Sequence, residues 1–593
     1  MSRAVRLTDY AEASLFAARR EASAIINSVG VFRMVQHTGR APDELLVDAQ
    51  DLYSPDVKRG TDMLDGRYVL AGETLTISPG DNVWLEKTPS RAFARQLHGF
   101  SWLRDCAIAD TERGAQDARE LTDAWVAAFG LWNGFAWSHD VLSSRVMNWL
   151  RCGDLLFGKA DDSADSEHLK KRKARFKCLL RQARFLQRSL PIAPAGSVRL
   201  RAAVAVALTG LCLPGQDAML KAGLEALEHN VKTQILPDGG HVSRSPRAGA
   251  EALVDLVTLL KTAASRGVMI PNEISRAVDR LAPMARFFQM SDGGLASFHG
   301  GGEFDREALE AAMSFNDTGS KPFGFAPHSG YHRAHEGGAT VILDAGESPR
   351  GTLSTGAHAS ALAIEMNTAG GRLVVNCGWH DDQPSSWREA VRATAAHSTL
   401  TLEETSSARL LPPGWKRRLL GPRLGTTCGP VTARRNEENM GVWLEGVHEG
   451  YRENFGLSHR RRVFLAADGG DLRGEDALFR PVSDGAPDDV DVRWRYAIRF
   501  HLHPDVRASL ARDSMSALLV QPNGDGWRFR TDGGPVRLER SVYLAAGAPL
   551  QRSTQIVVYG EAEPFGAGDR PPNRVRWAFQ RLGRIGGAGG ESE

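Results

Sequence analysis

Several absences bound this chain before any motif is read. It contains no run of 18 apolar residues, so no segment reads as a membrane span. The N-terminal text MSRAVRLTDYAEASLFAARREASAII is charged throughout. It lacks both a continuous apolar stretch of signal-peptide length and a small-residue cleavage site, and so reads as mature protein. A cytoplasmic location is the default expectation, with the periplasm or cell envelope as the alternative. The six cysteines (Cys106, Cys152, Cys178, Cys212, Cys377, Cys428) form no CxxC pair, which argues against a zinc ribbon and a disulfide framework. Several sit in apolar helical text, where a buried free thiol is expected. Excess charge is missing too: 73 basic against 71 acidic residues leave +2, unlike a strongly basic nucleic-acid binder. No Walker-A loop, dinucleotide fingerprint or Gly-x-Ser-x-Gly elbow stands at a strand-to-helix transition, so nucleotide-dependent and serine-hydrolase classes are weakly supported.

What is present is a chain of 593 residues, more than one core usually supports, whose apolar period changes along its length. From about residue 85 to 290 the spacing is helical. Leu220, Leu224, Leu227, Val231 and Ile235 recur every three or four residues between Asp217, a candidate N-cap, and Pro237, a stop. Leu200 to Leu211, Leu253 to Leu260 and Ile274 to Phe288 repeat the pattern, with short Gly/Pro breaks that favour antiparallel neighbours. After about Ser320 the period becomes two, in ten short runs such as ATVILDA, RLVVN, AIRFHLH and QIVVYG, with no helices between them. These runs predict an antiparallel sandwich or barrel. The expected fold is therefore α+β and multidomain: helical hairpins closing into an α/α toroid over 1–315, an antiparallel β-sandwich over 316–585, and a disordered tail from 586 to 593. In the first half, acids precede bases from Ala160 to Lys177, which suits a solvated helix; Lys170, Lys173 and Arg175 are candidate glycan contacts.

Three stretches of the second half place histidines at the edges of strand-like text: Gly356-Ala357-His358-Ala359-Ser360-Ala361-Leu362-Ala363-Ile364-Glu365, Val375-Asn376-Cys377-Gly378 and Ala396-His397-Ser398-Thr399. With DGGHVSRSP, Asp238 to Pro246, and with Trp137, His139 and Arg145 in WSHDVLSSRVMNWL, they resemble the heparinase II/III family of polysaccharide lyases. The resemblance covers roughly residues 95–540. It implies the toroid-plus-sandwich fold and β-elimination of an acidic, uronate-containing polysaccharide or oligosaccharide, with the site between the domains. That chemistry needs a group to neutralise the uronate carboxylate, a base for the C5 proton and an acid for the leaving oxygen.

This chain departs from the family pattern at several chemical positions. Ala248 stands where the catalytic tyrosine is usual, Ser243 where glutamate is usual, and Gly356 where the first sandwich histidine is usual. A helical Asn-His pair is replaced within GSVRLRAAVAVAL. His241, His397 and Tyr331 are the remaining candidates for proton transfer. Arg244, Arg247, Arg145, Arg392, Asn376 and Trp137 are the candidates for gripping substrate. In some relatives the second histidine, an aspartate and the last histidine bind a structural zinc; here those positions are His358, Asn376 and His397, a weaker set because the amide is neutral. His380 and Asp381 are reserve ligands, and a metal-free cluster is the plainer expectation. Other polar text offers His328 and His332, Arg388, and the pair His501 and His503. The tryptophans Trp84, Trp102, Trp125, Trp132, Trp137 and Trp149 are either sugar platforms or core anchors.

Two alternatives to a lyase remain. One is a glycan-binding or scaffold protein that kept the fold without the chemistry, favoured by the altered positions. The other is a glycoside hydrolase using carboxylates such as Asp238, Glu251 or Asp292. No nucleic-acid partner is expected, and the sequence leaves oligomeric state open.

Overall fold

The computed structural model describes residues 5–28, 42–78, 81–110, 112–158, 166–316, 322–481, 484, 492–547, 549–564 and 573–584. Residues 160–165 and the glycine-rich tail lie outside them. A helix-rich region comes first, and two multi-stranded antiparallel sheets follow.

The helices form where the period of three to four predicted them: Ser197–Cys212, Asp217–Gln234, Pro246–Ser265 and Asn272–Phe288. The first of these is buried almost all round, from Leu200 to Cys212, as an apolar helix at the centre of a helical layer should be. Its contact with Asp217–Gln234 depends on small residues. A Cβ on Gly210 would lie 2.5 Å from the Leu220 amide nitrogen, and one on Gly223 would lie 2.5 Å from that of Ala207. Helix Pro246–Ser265 starts where Ser245 accepts from the Ala248 amide and Pro246 occupies the first turn.

The first sheet runs in the order Val536–Tyr543, Gln551–Ala562, Trp494–Leu502, Gly371–Val375, Ile364–Thr368, Ala339–Asp344, Tyr331–Glu336, Phe325–Ala326, with Leu400–Leu402 also pairing to Trp494–Leu502. The second runs Arg507–Leu510, Ser516–Val520, Asp525–Thr531, Arg574–Arg584, Asp471–Phe479, Ser458–Ala466, Gly441–His448, Val431–Glu438. Apolar side chains from both sheets, among them Ile498, Phe500, Leu465, Trp527 and Phe579, form one core. Within it Asp476 accepts from Arg461 Nε at 2.8 Å and from Trp577 Nε1 at 2.8 Å, and lies 2.7 Å from His459. Arg461 donates on to the carbonyls of Leu362 and Ser398, tying the two sheets together.

The strands not anticipated are rich in charge. Val431–Glu438 (VTARRNEE) is the outer strand of the second sheet, with every residue half-buried or exposed, a composition that protects an edge from pairing with another chain. Asp471–Phe479 hides its charge in the Asp476 network, which masks the apolar alternation, whereas its neighbour Ser458–Ala466 carries RVFLAA, one of the ten runs read from the sequence.

The two halves meet in a dense seam. Tyr331, Ile342 and Ala363 lie on or beside strands of the first sheet but pack into the helical core. Asp238 accepts from the amides of His328 at 2.9 Å and Ser329 at 2.7 Å and from the Ser329 hydroxyl at 2.8 Å. Glycines follow it because nothing larger fits: a Cβ on Gly239 would lie 2.0 Å from the Arg280 carbonyl oxygen, and one on Gly240 would lie 1.9 Å from Ser329 Oγ.

Candidate functional site

A cleft of about 850 Å³ opens between helices of the first half and loops of the sandwich. Its helical wall includes Asn148, Arg151, Arg201, Arg247 and Glu251; its sandwich wall includes Gly356, Trp379, Asp381, Arg388 and Arg392. His241 and His299 lie between them on the lining.

His241 stands just ahead of the Ser245 cap, paired back to Ile235 as an isolated bridge. Its Nδ1 lies 2.7 Å from Ser243 Oγ and its Nε2 3.3 Å from Gln234 Oε1. Burial lowers its pKa to about 4, so the ring is neutral at physiological pH and able to accept a proton. The positions Ser243, Ala248 and Gly356, where the family pattern carries glutamate, tyrosine and histidine, all line the same cleft. So do Gly196, Ser197 and Val198 at the start of the helix where an Asn-His pair is usual.

Arg244 is directed away from the cleft and into the seam. Its φ of +61° is unusual for a residue with a Cβ, and it aims the side chain across the domain boundary. The guanidinium donates to the carbonyls of Ser329 (2.7 Å), Gly330 (3.1 Å), Gly346 (3.2 Å) and Glu347 (3.1 Å), and pairs with Asp344. His299, also at positive φ, lies 3.1 Å from Arg244 Nη1 and 3.2 Å from Asp344. Burial alone would raise the Asp344 pKa, but Arg244 and His299 outweigh it and hold the carboxyl well below the usual carboxylate range. Tyr331 belongs to the same seam: its hydroxyl donates to the Arg244 carbonyl at 2.7 Å, and the Arg244 guanidinium lies over its ring at 4.7 Å. Burial pushes the Tyr331 hydroxyl well above its ordinary pKa.

His358 and His397 do not line the cleft. Their rings stack 5.1 Å apart inside the sandwich, with His358 Nδ1 3.2 Å from His397 Nε2. Burial lowers the His397 pKa to about 3 and takes His358 well below its ordinary value. Asn376 is turned to other partners. Its Oδ1 accepts from the Ser398 amide at 3.0 Å, and its Nδ2 donates to Glu365 at 3.1 Å and to the Ser297 carbonyl at 3.3 Å. The set does not fit a zinc ion, because the amide oxygen already has a donor and no anionic third ligand joins the two imidazoles. Among the described residues no group of three His, Cys, Asp or Glu side chains is placed to hold a metal.

Several other candidates turn out to brace the fold. Arg145 is fully buried; it donates to Gln182 at 2.7 Å and to the carbonyls of His98 and Ala136, and lies 4.1 Å over Trp125. Burial lowers its pKa to about 9. Trp137 is buried, with its indole N–H donating to the Phe129 carbonyl at 2.9 Å. Trp84, Trp102, Trp125 and Trp149 form one aromatic core with Phe100. Arg392 lines the cleft but donates to the carbonyls of Ala357, Pro422 and Ser354. Arg175 is buried against Asp123 and the Leu156 carbonyl. His501 is buried between Ser541 and the Ala395 carbonyl. Of the hydrolase candidates, Asp238 and Asp292 are held in hydrogen bonds and ion pairs at the seam, and only Glu251 lines the cleft.

The cleft residues not anticipated include Tyr53, Arg104, Arg151, Arg201, His299 and Trp379. Tyr53 lies under both Arg104 and Arg151, each 5.2 Å from its ring. Only the tertiary fold assembles them, since they come from separate segments with no motif of their own.

The profile described as "Heparinase II/III-like, C-terminal" matches residues 318–578. Over 96% of its length the chain superposes on the crystal structure of heparinase III, covering 92% of that chain at a TM-score of 0.67 and 14% identity. A mutant heparan sulfate lyase of Pedobacter heparinus gives a TM-score of 0.57 at 14% identity, covering 97% of this chain and 89% of that one. FtsZ-localized protein C of Caulobacter vibrioides is 36% identical over 544 residues, 91% of each chain. The polysaccharide-lyase fold is thus shared, and by sequence the chain belongs to the family of FtsZ-localized protein C.

Proposed function

We infer that the protein is a non-catalytic glycan-binding or scaffold protein on the polysaccharide-lyase fold that localises with FtsZ, as the name of its relative states for that protein. One observation carries the loss of chemistry. A cleft of about 850 Å³ is present, while Ser243, Ala248 and Gly356 line it at the positions where the family resemblance implies reactive side chains. Neither Ala248 nor Gly356 can exchange a proton. Tyr331 and His397, the other proton-transfer candidates, are buried away from the lining. The FtsZ part of the reading rests on the 36% identity to FtsZ-localized protein C. A fluorescent fusion expressed from its own locus should overlap FtsZ; a diffuse signal in cells with intact FtsZ assemblies would remove that part.

The second reading is a lyase with His241 as its base, favoured by the position of that neutral imidazole on the cleft wall. Incubation with a panel of uronate polysaccharides separates the two. An unsaturated uronate product, detected by ultraviolet absorbance and lost in His241→Ala, would establish the lyase. Binding without product supports the glycan-binding reading.

A further inference from the structure

Arginines and carboxylates alternate along the cleft as one connected ladder. Asp51 lies 3.9 Å from Arg151, which donates to Asp255 at 2.8 Å; Asp255 accepts from Arg201 at 3.1 Å. Arg201 continues to Glu251 at 2.9 Å, Glu251 to Arg247 at 2.9 Å, and Arg247 crosses to Asp381 of the sandwich, itself 3.8 Å from Arg388. Off the ladder, Arg95 pairs with Asp140, Arg59 with Asp105, Arg104 with Asp51 and Arg417 with Glu389. Eight of the nine lining guanidiniums are therefore ion-paired, Arg388 only at 3.8 Å, and Arg392 is held by carbonyls.

That arrangement works against a polyanion. A uronate carboxylate entering the cleft meets cations neutralised at about 3 Å by carboxylates that repel it. Binding would require breaking pairs that hold both walls. Among the N–H groups of the ladder left uncommitted, two lie together at its sandwich end, while Arg151 Nε is the third at the far end. Arg247 Nη1 and Arg388 Nε are buried without a hydrogen-bond partner among the described residues. Both guanidinium groups lie over the half-buried Trp379 ring, at 5.2 and 5.5 Å. A buried donor left unsatisfied is costly, and a neutral hydroxyl or amide oxygen satisfies it without importing charge.

The geometry points to an uncharged, hydroxyl- and amide-bearing oligosaccharide as the ligand of this cleft, seated at Trp379, with Arg247 Nη1 and Arg388 Nε, both shielded until it binds, turned out as its donors. This rests on the glycan-binding reading above and narrows it, since the resemblance to uronate lyases implies an acidic glycan instead.

Calorimetric titration of the full chain with an N-acetylglucosamine tetramer and with an oligo-uronate of the same length, each at low and high salt, tests it. The tetramer should bind more tightly, with an affinity that changes less than about twofold with salt, because no net charge is neutralised. Arg388→Gln should weaken it about three- to tenfold, the loss of one hydrogen bond. Asp381→Asn removes the carboxylate that both arginines share, leaving Arg247 with Glu251 alone, and should raise the affinity for the oligo-uronate, now falling with salt. Trp379→Ala should also weaken the tetramer; if it fails to fold by circular dichroism, Arg388→Gln decides. Tighter, salt-sensitive binding of the oligo-uronate by the unmodified protein would overturn the inference and leave the glycan-binding reading standing. Binding of neither sugar would overturn the inference and the glycan-binding reading together, leaving only the scaffold reading.

Discussion

Arg244 and Arg247 stand three residues apart at the start of one helix, yet one belongs to the seam and the other to the cleft. Arg244 is 8% exposed, sits at φ +61° and is surrounded by four carbonyls, Asp344 and His299. Arg247 is 21% exposed, shares Glu251 and Asp381 with other arginines and keeps one N–H uncommitted. A buried charge with all its donors engaged holds structure, because losing a partner leaves the other stranded in a low dielectric. A half-exposed charge in a shared network is only weakly held, and water or a ligand can replace its partner. The same residue type therefore acts as a clamp at one position and as a binding group at the next.

The sharpest way to break this comparison is to remove a partner on each side. Asp344→Ala should destabilise the protein by about 3–5 kcal/mol, since it strands Arg244 at the seam. Arg247→Gln should cost about 1 kcal/mol or less. Chemical denaturation measures both, and equal losses would end the distinction between seam and cleft.

Acid should also act first on the buried groups. The histidines His241 and His397 have folded pKa values lowered to about 4 and about 3. Their contribution is fully present above the unfolded value of about 6.5 and is lost as pH falls below it toward the folded values, because the unfolded chain takes up protons first. Each adds a slope approaching about 1.4 kcal/mol per pH unit in that window. Asp344 and Asp476 are likewise depressed, so their contribution is present above about pH 4 and declines below it. Denaturation midpoints should therefore drop from pH 7 to pH 4 and continue to drop below it; a flat profile from 7 to 4 would show that the imidazoles are not desolvated.

Tyr331→Phe comes next in size. Removing the hydroxyl leaves the Arg244 carbonyl without its donor and should cost about 1–2 kcal/mol, with no change in sugar affinity. A change in affinity without a change in stability would return Tyr331 to the cleft. The smallest effect is expected from His241→Ala. On the glycan-binding reading it alters no turnover, since none exists, and oligosaccharide affinity should shift by less than about threefold if only the Ser243 and Gln234 contacts are disturbed.

The helices and most of the strands were legible because burial imposes a period of 3.6 or 2 on apolar residues wherever it occurs. Asp217 and Pro237 bracketed a helix in the text, and one forms over Asp217–Gln234. The charged strands were less legible, since Val431–Glu438 is an edge and the Asp476 network replaces apolar residues with paired ones. Within the site, the family resemblance pointed to His241, which lines the cleft, and to His358 and His397, which do not. It could not tell that Arg145, Trp137 and Tyr331 point into cores, because a buried arginine with good acceptors has the same sequence as a surface one. Nor could it find His299 or Arg201, whose partners lie dozens of residues away.

By itself the sequence determined the layered architecture and the absence of reactive side chains at Ala248 and Gly356, because periodicity and residue identity are local properties. Which arginines face the cleft, which are locked in the seam, and how carboxylates pair with most of the cleft arginines were decided only by the tertiary structure. Ion pairing depends on distances between distant segments, and those are fixed when the helical and sheet cores close on one another.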